Sequence, residues 1–189
     1  MKVNILENTD NIVRFRLDEV SHTFANALRR LTITSVECFA VDTVTFYENS
    51  SAMFDEYIAH RIGLIPITTP KGYDEKDEIL FSLEASGPCT IYSKDLKSSD
   101  KNVQVANENI PIMKLAEGQN LRVDAKAIMS NAKRSSKFQP GIITYNEVEG
   151  GKGFEFYVES FGQMPAIDIV TRALGIISND IKEVHKELK

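Results

Sequence analysis

Apolar and polar residues alternate near the start of the chain, and a helical pattern follows directly. Residues 3–17 alternate on either side of a polar turn at residues 8–11, which predicts a β-hairpin. A helix is predicted to begin at Ser21, because a serine hydroxyl can accept hydrogen bonds from the free N–H groups of the first turn. A further strand is predicted over residues 38–47. The apolar face of the helix is formed by Phe24, Leu28 and Leu31.

The end of the chain shows the same order of strand and helix. Residues 142–145 and 154–158 have the composition and alternation of strands. Pro165 is expected to open the last helix, because proline is favoured in a first turn whose N–H groups have no helical partner. Asp168 follows closely and complements the positive end of the helix dipole.

The middle of the chain is predicted to hold one short helix followed by several short strands. Ser50 or Ser51 can cap the helix, and His60 and Arg61 complement the dipole in its last turn. Gly63 is expected to end the helix in the left-handed conformation, with a strand directly after it. The apolar positions assigned to the helix are Met53, Phe54, Tyr57, Ile58 and Ile62. Later strands are predicted at residues 79–83, 89–92, 103–105, 110–115 and 121–125.

These elements predict an α+β fold with two domains. Neither end of the chain has enough elements to close a core by itself. The simplest packing therefore joins residues 1–47 and 142–189 into one discontinuous domain, an antiparallel sheet with two helices. Residues 48–141 then form a β-rich insert domain.

An apolar stripe along the last helix is the strongest physical feature of the sequence. Gaps of three and four residues alternate over three heptads, which is typical of helix–helix packing. A helix of this length spans about 30 Å at roughly 1.5 Å per residue, more than a small sheet covers. A partner helix is therefore favoured, and packing on the domain's own sheet stays open as the alternative. The stripe consists of Ile167, Val170, Leu174, Ile177, Ile181, Val184 and Leu188.

Charge and composition argue against several classes of protein. The net charge is −5, and a protein that holds DNA alone would show a basic face, so direct DNA binding is not expected. Two isolated cysteines, Cys38 and Cys89, cannot supply a four-ligand zinc or iron–sulfur site, so no metal cofactor is expected. The sequence has no run of eighteen apolar residues and no signal-peptide pattern, which favours a cytoplasmic protein without membrane contact.

Three other functions compete with a partner-binding role. An enzyme acting alone would need a nucleophile with its base or a phosphate-binding loop, and Gly150–Gly153 lacks the Ser or Thr that follows a P-loop. A general-base role for His60 is less favoured than a helix-end role. A DNA-binding module would need a basic recognition helix, and the short basic cluster at residues 133–137 is more typical of a solvated loop. A homodimer formed through the stripe is the third alternative.

Six segments of the chain resemble the D-type (Rpo3-type) assembly subunit of archaeal RNA polymerase, which is related to the third-largest eukaryotic polymerase subunit and to bacterial alpha. Ala59–Ile67 (AHRIGLIPI) is similar to the family's LAHRLGLIPL string, and Phe24–Leu31 (FANALRRL) is similar to its NALRR helix. Further similar segments are residues 89–96 with 110–115, residues 137–140, and residues 159–165.

The resemblance implies a non-catalytic assembly subunit of DNA-dependent RNA polymerase, a nucleotidyltransferase that makes RNA from ribonucleoside triphosphates. The discontinuous domain would be the dimerisation domain, which pairs with subunit L through the stripe and through Phe24, Leu28 and Leu31. This heterodimer, with small subunits N and P, would form the platform for the second-largest subunit. The residues assigned to a large-subunit interface are Arg29, Arg30, His60 and Arg61.

One departure from the family concerns a cysteine-rich, ferredoxin-like domain that many members carry before the last strand. The string at residues 149–153 (EGGKG) occupies that place, and no cysteine lies near it. An iron–sulfur cluster and its domain are therefore expected to be absent.

Overall fold

The computed structural model of this 189-residue chain describes residues 1–148, 150 and 153–188. The chain divides into two compact units. The terminal unit consists of Met1–Glu37 with Asn131–Lys189, and the insert unit is Cys38–Ser130. The predicted α+β fold, with a β-rich insert interrupting a domain made from both ends, is confirmed.

A four-stranded antiparallel sheet in the order β1-β2-β10-β9 forms the base of the terminal unit. Phe15 in β2 lies opposite Phe156 in β10, and their rings stack with centroids 5.0 Å apart. Two helices, α1 and α3, complete the unit, and a single 3-10 turn precedes β9. The elements are β1 (Lys2–Asn8), β2 (Ile12–Asp18), α1 (His22–Thr34), β9 (Gly141–Glu147), β10 (Gly153–Ser160) and α3 (Ala166–Glu187).

The sequence signals at the starts of the two terminal helices are largely reproduced. Ser21 is the N-cap of α1, and its side-chain oxygen accepts a hydrogen bond from the Phe24 N–H at 3.2 Å. Pro165 is the N-cap of α3 rather than its first residue. The core of the unit lies between the sheet and the buried apolar helix residues, which are Ala25, Leu28, Ala166, Ile169, Val170 and Ala173.

The insert unit combines a four-stranded sheet in the order β3-β8-β4-β6 with a two-stranded sheet, β5-β7. Helix α2 packs against the core of this unit through Ile58 and Ile62, which are fully buried. The elements are β3 (Cys38–Asn49), α2 (Asp55–Gly63), β4 (Glu78–Ser86), β5 (Cys89–Tyr92), β6 (Lys97–Ser98), β7 (Pro111–Leu115) and β8 (Asn120–Ser130).

The insert unit begins at Cys38 and ends at Ser130, whereas the sequence predicted its boundaries between residues 47 and 48 and between residues 141 and 142. Strand β3 belongs to the insert because it pairs with β8 from Cys38, opposite Ser130, to Asn49, opposite Leu121. Phe39 and Val41 belong to the buried core of the insert, and Val44 and Phe46 pack against it. The glycine-rich string predicted as a linker includes residues 149, 151 and 152, which lie outside the described residues.

The end of α2 is built differently from the prediction. Gly63 is the last helical residue and has no positive φ, while Leu64 caps the helix in the right-handed conformation. The Leu64 N–H donates to the Arg61 carbonyl, so a tightened last turn satisfies the end of the helix without a left-handed glycine. The expected strand after it is reduced to one bridge between Ile67 and Val105, and residues 103–105 form no strand of their own.

Replacing Gly63 by alanine should leave the stability of the insert unchanged or raise it by up to about 1 kcal/mol, because alanine is the better helix former. A methyl group there meets only the Val41 carbonyl oxygen, at 3.7 Å. At Gly87 the added methyl would overlap the Ala116 carbonyl oxygen, so Gly87→Ala should cost about 1–3 kcal/mol or more. Urea unfolding of the two variants checks both values, and a large loss for Gly63→Ala would contradict the described cap.

Candidate functional site

Helix α3 divides into a half that packs on its own unit and a half that projects an apolar face. Ile169, Val170 and Ala173 are buried against the terminal core. From Leu174 onward the stripe is largely uncovered: Leu174 is 42% exposed, Ile181 64%, Val184 60% and Leu188 81%. The terminal unit's own core therefore covers only the first part of the stripe, and the part from Leu174 onward is left exposed.

The structure removes two residues from the predicted subunit L surface. Leu28 and Val170 are almost wholly buried in the terminal unit's own core, where the two helices meet the sheet, so a partner cannot reach them without unfolding that core. Ile167, Ile177, Phe24 and Leu31 are half-buried and keep part of their surface open. The uncovered apolar face of α3, called the α3 face below, consists of Leu174, Ile177, Ile181, Val184 and Leu188.

A second apolar surface of the terminal unit lies on the edge strand β1. Val3 and Ile5 are 60% and 55% exposed, although their cross-strand partners Leu17 and Phe15 are buried. Directly opposed residues share one side of a sheet, so Val3 and Ile5 lie on the helix-bearing side. Sequence reasoning missed this surface because alternation predicts a buried side for a strand without showing which strand is the edge.

The four residues assigned to a large-subunit interface lie in two different units. Arg29 and Arg30 are on α1 of the terminal unit, where the Arg29 guanidinium donates to the Asn26 side-chain oxygen at 3.0 Å. His60 and Arg61 are exposed on α2 of the insert, and the Arg61 guanidinium donates to the Pro111 carbonyl at 2.7 Å. Each pair therefore belongs to its own surface.

Three large apolar residues on or beside α2 are exposed as well. Phe54, Tyr57 and Leu64 are 71%, 65% and 58% exposed. The sequence pattern placed Phe54 and Tyr57 among the periodic apolar positions of the helix; in the structure Phe54 is its N-cap, and both side chains are exposed. The helix is only nine residues long, and Ile58 with Ile62 is enough to bury its inner side.

Among the described residues, the titratable groups with shifted pKa values are tyrosine–carboxylate pairs. A hydrogen bond to Asp124 raises the pKa of Tyr47, and one to Asp100 raises the pKa of Tyr73. The Asn102 backbone N–H lowers the pKa of Asp100, and the hydrogen bond from Tyr73 adds to this effect. Within the described residues, no group of three His, Cys, Asp or Glu side chains is placed to hold a metal ion. No helix in the described part of the chain is long and apolar enough to cross a bilayer.

Comparison with known proteins shows which family the chain resembles. The family model described as "RNA polymerase Rpb3/RpoA insert domain" matches residues 44–146. The match covers more than half of the chain and includes most of the insert unit.

Several relatives are similar over most of the chain. The DNA-directed RNA polymerase subunit Rpo3 of Methanocaldococcus jannaschii is 44% identical over 167 residues, which cover 88% of this chain and 85% of that protein. The Rpo3 subunit of Pyrococcus furiosus is 49% identical over 77% of this chain and 58% of its own length. The Rpo3 subunit of Natronomonas pharaonis is 40% identical over 80% of this chain and 64% of its own length. The chain thus spans most of the first relative and about three fifths of the other two.

Proposed function

Because the chain belongs to the archaeal Rpo3 (D-type) family of DNA-directed RNA polymerase subunits, we propose that it assembles this enzyme by pairing with subunit L. It contributes structure rather than catalysis to a nucleotidyltransferase that copies DNA into RNA. The pair then serves as the platform for the second-largest subunit, together with small subunits N and P. Assembly of the polymerase takes place in the cytoplasm.

The observation that carries the proposal is the α3 face. Its apolar side chains continue the stripe beyond the point where the terminal unit covers it. Polar residues on the other sides of the same segment are also exposed, so the helix projects as an amphipathic rod. An exposed apolar face of this length on a charged helix is typical of a protein–protein interface.

The size of the α3 face sets how much further contact the pairing needs. Five aliphatic side chains at roughly 1.5–3 kcal/mol each give about 7–15 kcal/mol of gross burial. Association itself costs about 4–15 kcal/mol before any net affinity appears. The α3 face alone is therefore marginal, and we propose that Val3, Ile5, Phe24 and Leu31 supply the remaining apolar contact to subunit L.

Arg29, Arg30, His60 and Arg61 are proposed to contact a large subunit. Guanidinium groups bind carboxylates in a two-pronged geometry, which suits the three arginines to interfacial acids, and His60 is next to Arg61 on α2. Direct DNA binding is not part of the proposal, because the chain has a net charge of −5.

Co-expression with a candidate subunit L, followed by size-exclusion chromatography and light scattering, tests the proposal. We expect a stable one-to-one complex, and a chain that remains monomeric or aggregates when expressed alone. A stable homodimer that does not exchange with subunit L would contradict the proposal and favour the homodimer alternative.

The purified chain is expected to contain no stoichiometric iron or zinc. Cys38 is buried and Cys89 is exposed, and they lie in β3 and β5, which do not pair with each other. A closed structural site needs four ligands, so two separated thiols are not sufficient. Elemental analysis of protein purified without chelators checks this prediction, and one equivalent of bound metal would overturn it.

A further inference from the structure

A polar recess opens on the solvent side of the insert unit's four-stranded sheet, where β4, β6 and β8 lie side by side. Its volume is about 310 Å³. Leu83 and Val123, the buried residues of the same strand segments, belong to the core, so the recess stands on a fixed part of the sheet rather than on a loop. The polar residues that line it are Ser82, Glu84, Asp95, Lys97, Arg122 and Asp124.

Positive and negative side chains alternate in two neighbouring cross-strand rows of the recess. In the first row, Ser82 is paired with Lys97 on one side and with Asp124 on the other. In the second row, Glu84 is directly opposite Arg122. Directly opposed residues share one side of a sheet, and residues two apart on a strand are separated by about 7 Å. Each row therefore carries one cation and one anion, and the rows are about 7 Å apart.

The cations of the recess are not neutralised by the acids beside them. Among the described residues, Glu84, Lys97 and Arg122 form no ion pair, although Glu84 and Arg122 are directly opposed. The Arg122 guanidinium lies instead over the Tyr47 ring, 5.4 Å from its centroid. The Tyr47 hydroxyl donates to Asp124 Oδ2 at 3.0 Å. Tyr47 therefore holds a cation and an anion of neighbouring rows in place while both keep their charge.

This charge arrangement determines which class of ligand fits. A phosphate or another simple oxyanion would lie beside the carboxylates of Glu84, Asp95 and Asp124, which repel it. A metal ion is not favoured, because no three acidic, His or Cys side chains in the described part of the chain are placed to hold one. A molecule with a carboxylate and an ammonium group about 7 Å apart is complementary to both rows. An extended dipeptide has this length, at about 3.3–3.6 Å per residue.

We propose that the recess is a binding site for a small zwitterion of about dipeptide size, with its carboxylate on Arg122 and its ammonium group on Asp124. The Arg122 guanidinium offers a carboxylate two parallel N–H donors. Asp124 uses Oδ2 for Tyr47 and keeps Oδ1 for the ammonium group. The residues of this site belong neither to the α3 face nor to the four residues proposed for large-subunit contact, so ligand binding does not depend on the proposed function.

Calorimetric titration of the full chain, alone or in complex with subunit L, with three matched peptides tests the ligand class. We expect diglycine to bind with a Kd of about 1–10 mM. N-acetyl-diglycine lacks the ammonium group and diglycine amide lacks the carboxylate, so each should bind at least about tenfold more weakly. Equal affinity for diglycine and its acetylated form would reduce the recess to a plain anion site and overturn the proposal, and so would the absence of diglycine binding.

Substitutions on one strand locate the site. Arg122→Gln and, separately, Asp124→Asn should each raise the Kd for diglycine at least about tenfold. Lys126→Gln is the matched control, because Lys126 lies on the same side of β8 outside the recess and pairs with Glu78 at 2.9 Å. The three variants keep every buried residue of β8, so their urea midpoints should match that of the parent. An unchanged Kd for Arg122→Gln, or an equal loss for Lys126→Gln, would contradict the assigned site.

Discussion

Changing Leu174 and Ile181 together to aspartate is expected to abolish pairing with subunit L. Both side chains are exposed in the free chain and would be buried in the proposed interface with subunit L. Each introduced carboxylate would therefore lose its hydration on binding. The lost packing alone is worth about 2–5 kcal/mol per site, which corresponds to a roughly thousandfold or greater rise in Kd for the pair. Co-purification with tagged subunit L measures the loss.

The same exposure makes the variant informative. Because Ile181 is 64% exposed and Leu174, 42% exposed, is not among the buried core residues, the urea midpoint of the free chain should fall only slightly below that of the parent. Asn179→Asp with Lys186→Asn gives the same change in net charge on the polar side of α3 and should pair normally. Arg172 is a poorer control position, since its guanidinium donates to the Glu37 carbonyl at 3.5 Å. Tight binding of subunit L by the aspartate variant would show that the α3 face is not the interface.

Removing the whole insert unit should leave pairing with subunit L intact while abolishing assembly of the larger enzyme. Cys38 and Ser130 are opposite each other in the β3–β8 ladder, where antiparallel partners lie about 4.5–5.5 Å apart. Glu37 and Asn131 can therefore be joined by a short Gly-Ser linker. The terminal unit keeps its own four-stranded sheet, α1 and α3, so its core does not depend on the insert.

Two measurements on the shortened chain check this expectation. Size-exclusion chromatography with subunit L should show a one-to-one complex, and reconstitution with the remaining subunits should fail because the large-subunit contact proposed for His60 and Arg61 is gone. A soluble, folded terminal unit that does not bind subunit L would show that the insert contributes to the interface with subunit L. Full incorporation of the shortened chain would contradict a docking role for the insert.

Local signals in the sequence predicted the elements well where one pattern had one explanation. Ser21 could only serve as a cap for the helix after it, and it does so. The strand alternation around Phe15 and Phe156 predicted two half-buried strands, and these two residues face each other in the core. The β-rich insert followed from turn residues that recur every few positions.

The errors arose where the outcome depends on distant parts of the chain. Strand β3 has the same apolar alternation whichever sheet it joins, and only its pairing with β8 assigns it to the insert. Gly63 favours a left-handed cap in general, but the tight turn through Leu64 leaves no need for one. Periodicity alone could not show that α2 buries only Ile58 and Ile62 and turns Phe54 and Tyr57 to solvent.

The α3 stripe shows the same limit on a larger scale. The heptad pattern runs without a break from Ile167 to Leu188, so the sequence contains no signal for the point where the chain's own core stops covering the stripe. The size of the small terminal sheet sets that point near Leu174. Leu28 was assigned to the partner for the same reason, because an apolar helix position does not show which neighbour covers it.

Amide hydrogen exchange along α3, measured with and without subunit L, tests the central claim most directly. In the free chain, amides beyond Leu174 lie on an exposed helix and should exchange quickly, whereas those near Val170 are protected by the terminal core. Subunit L should slow exchange from Leu174 to Glu187 and leave the solvent side of the insert sheet, around Tyr47, unchanged. A stable complex in which exchange beyond Leu174 is as fast as in the free chain would contradict the account.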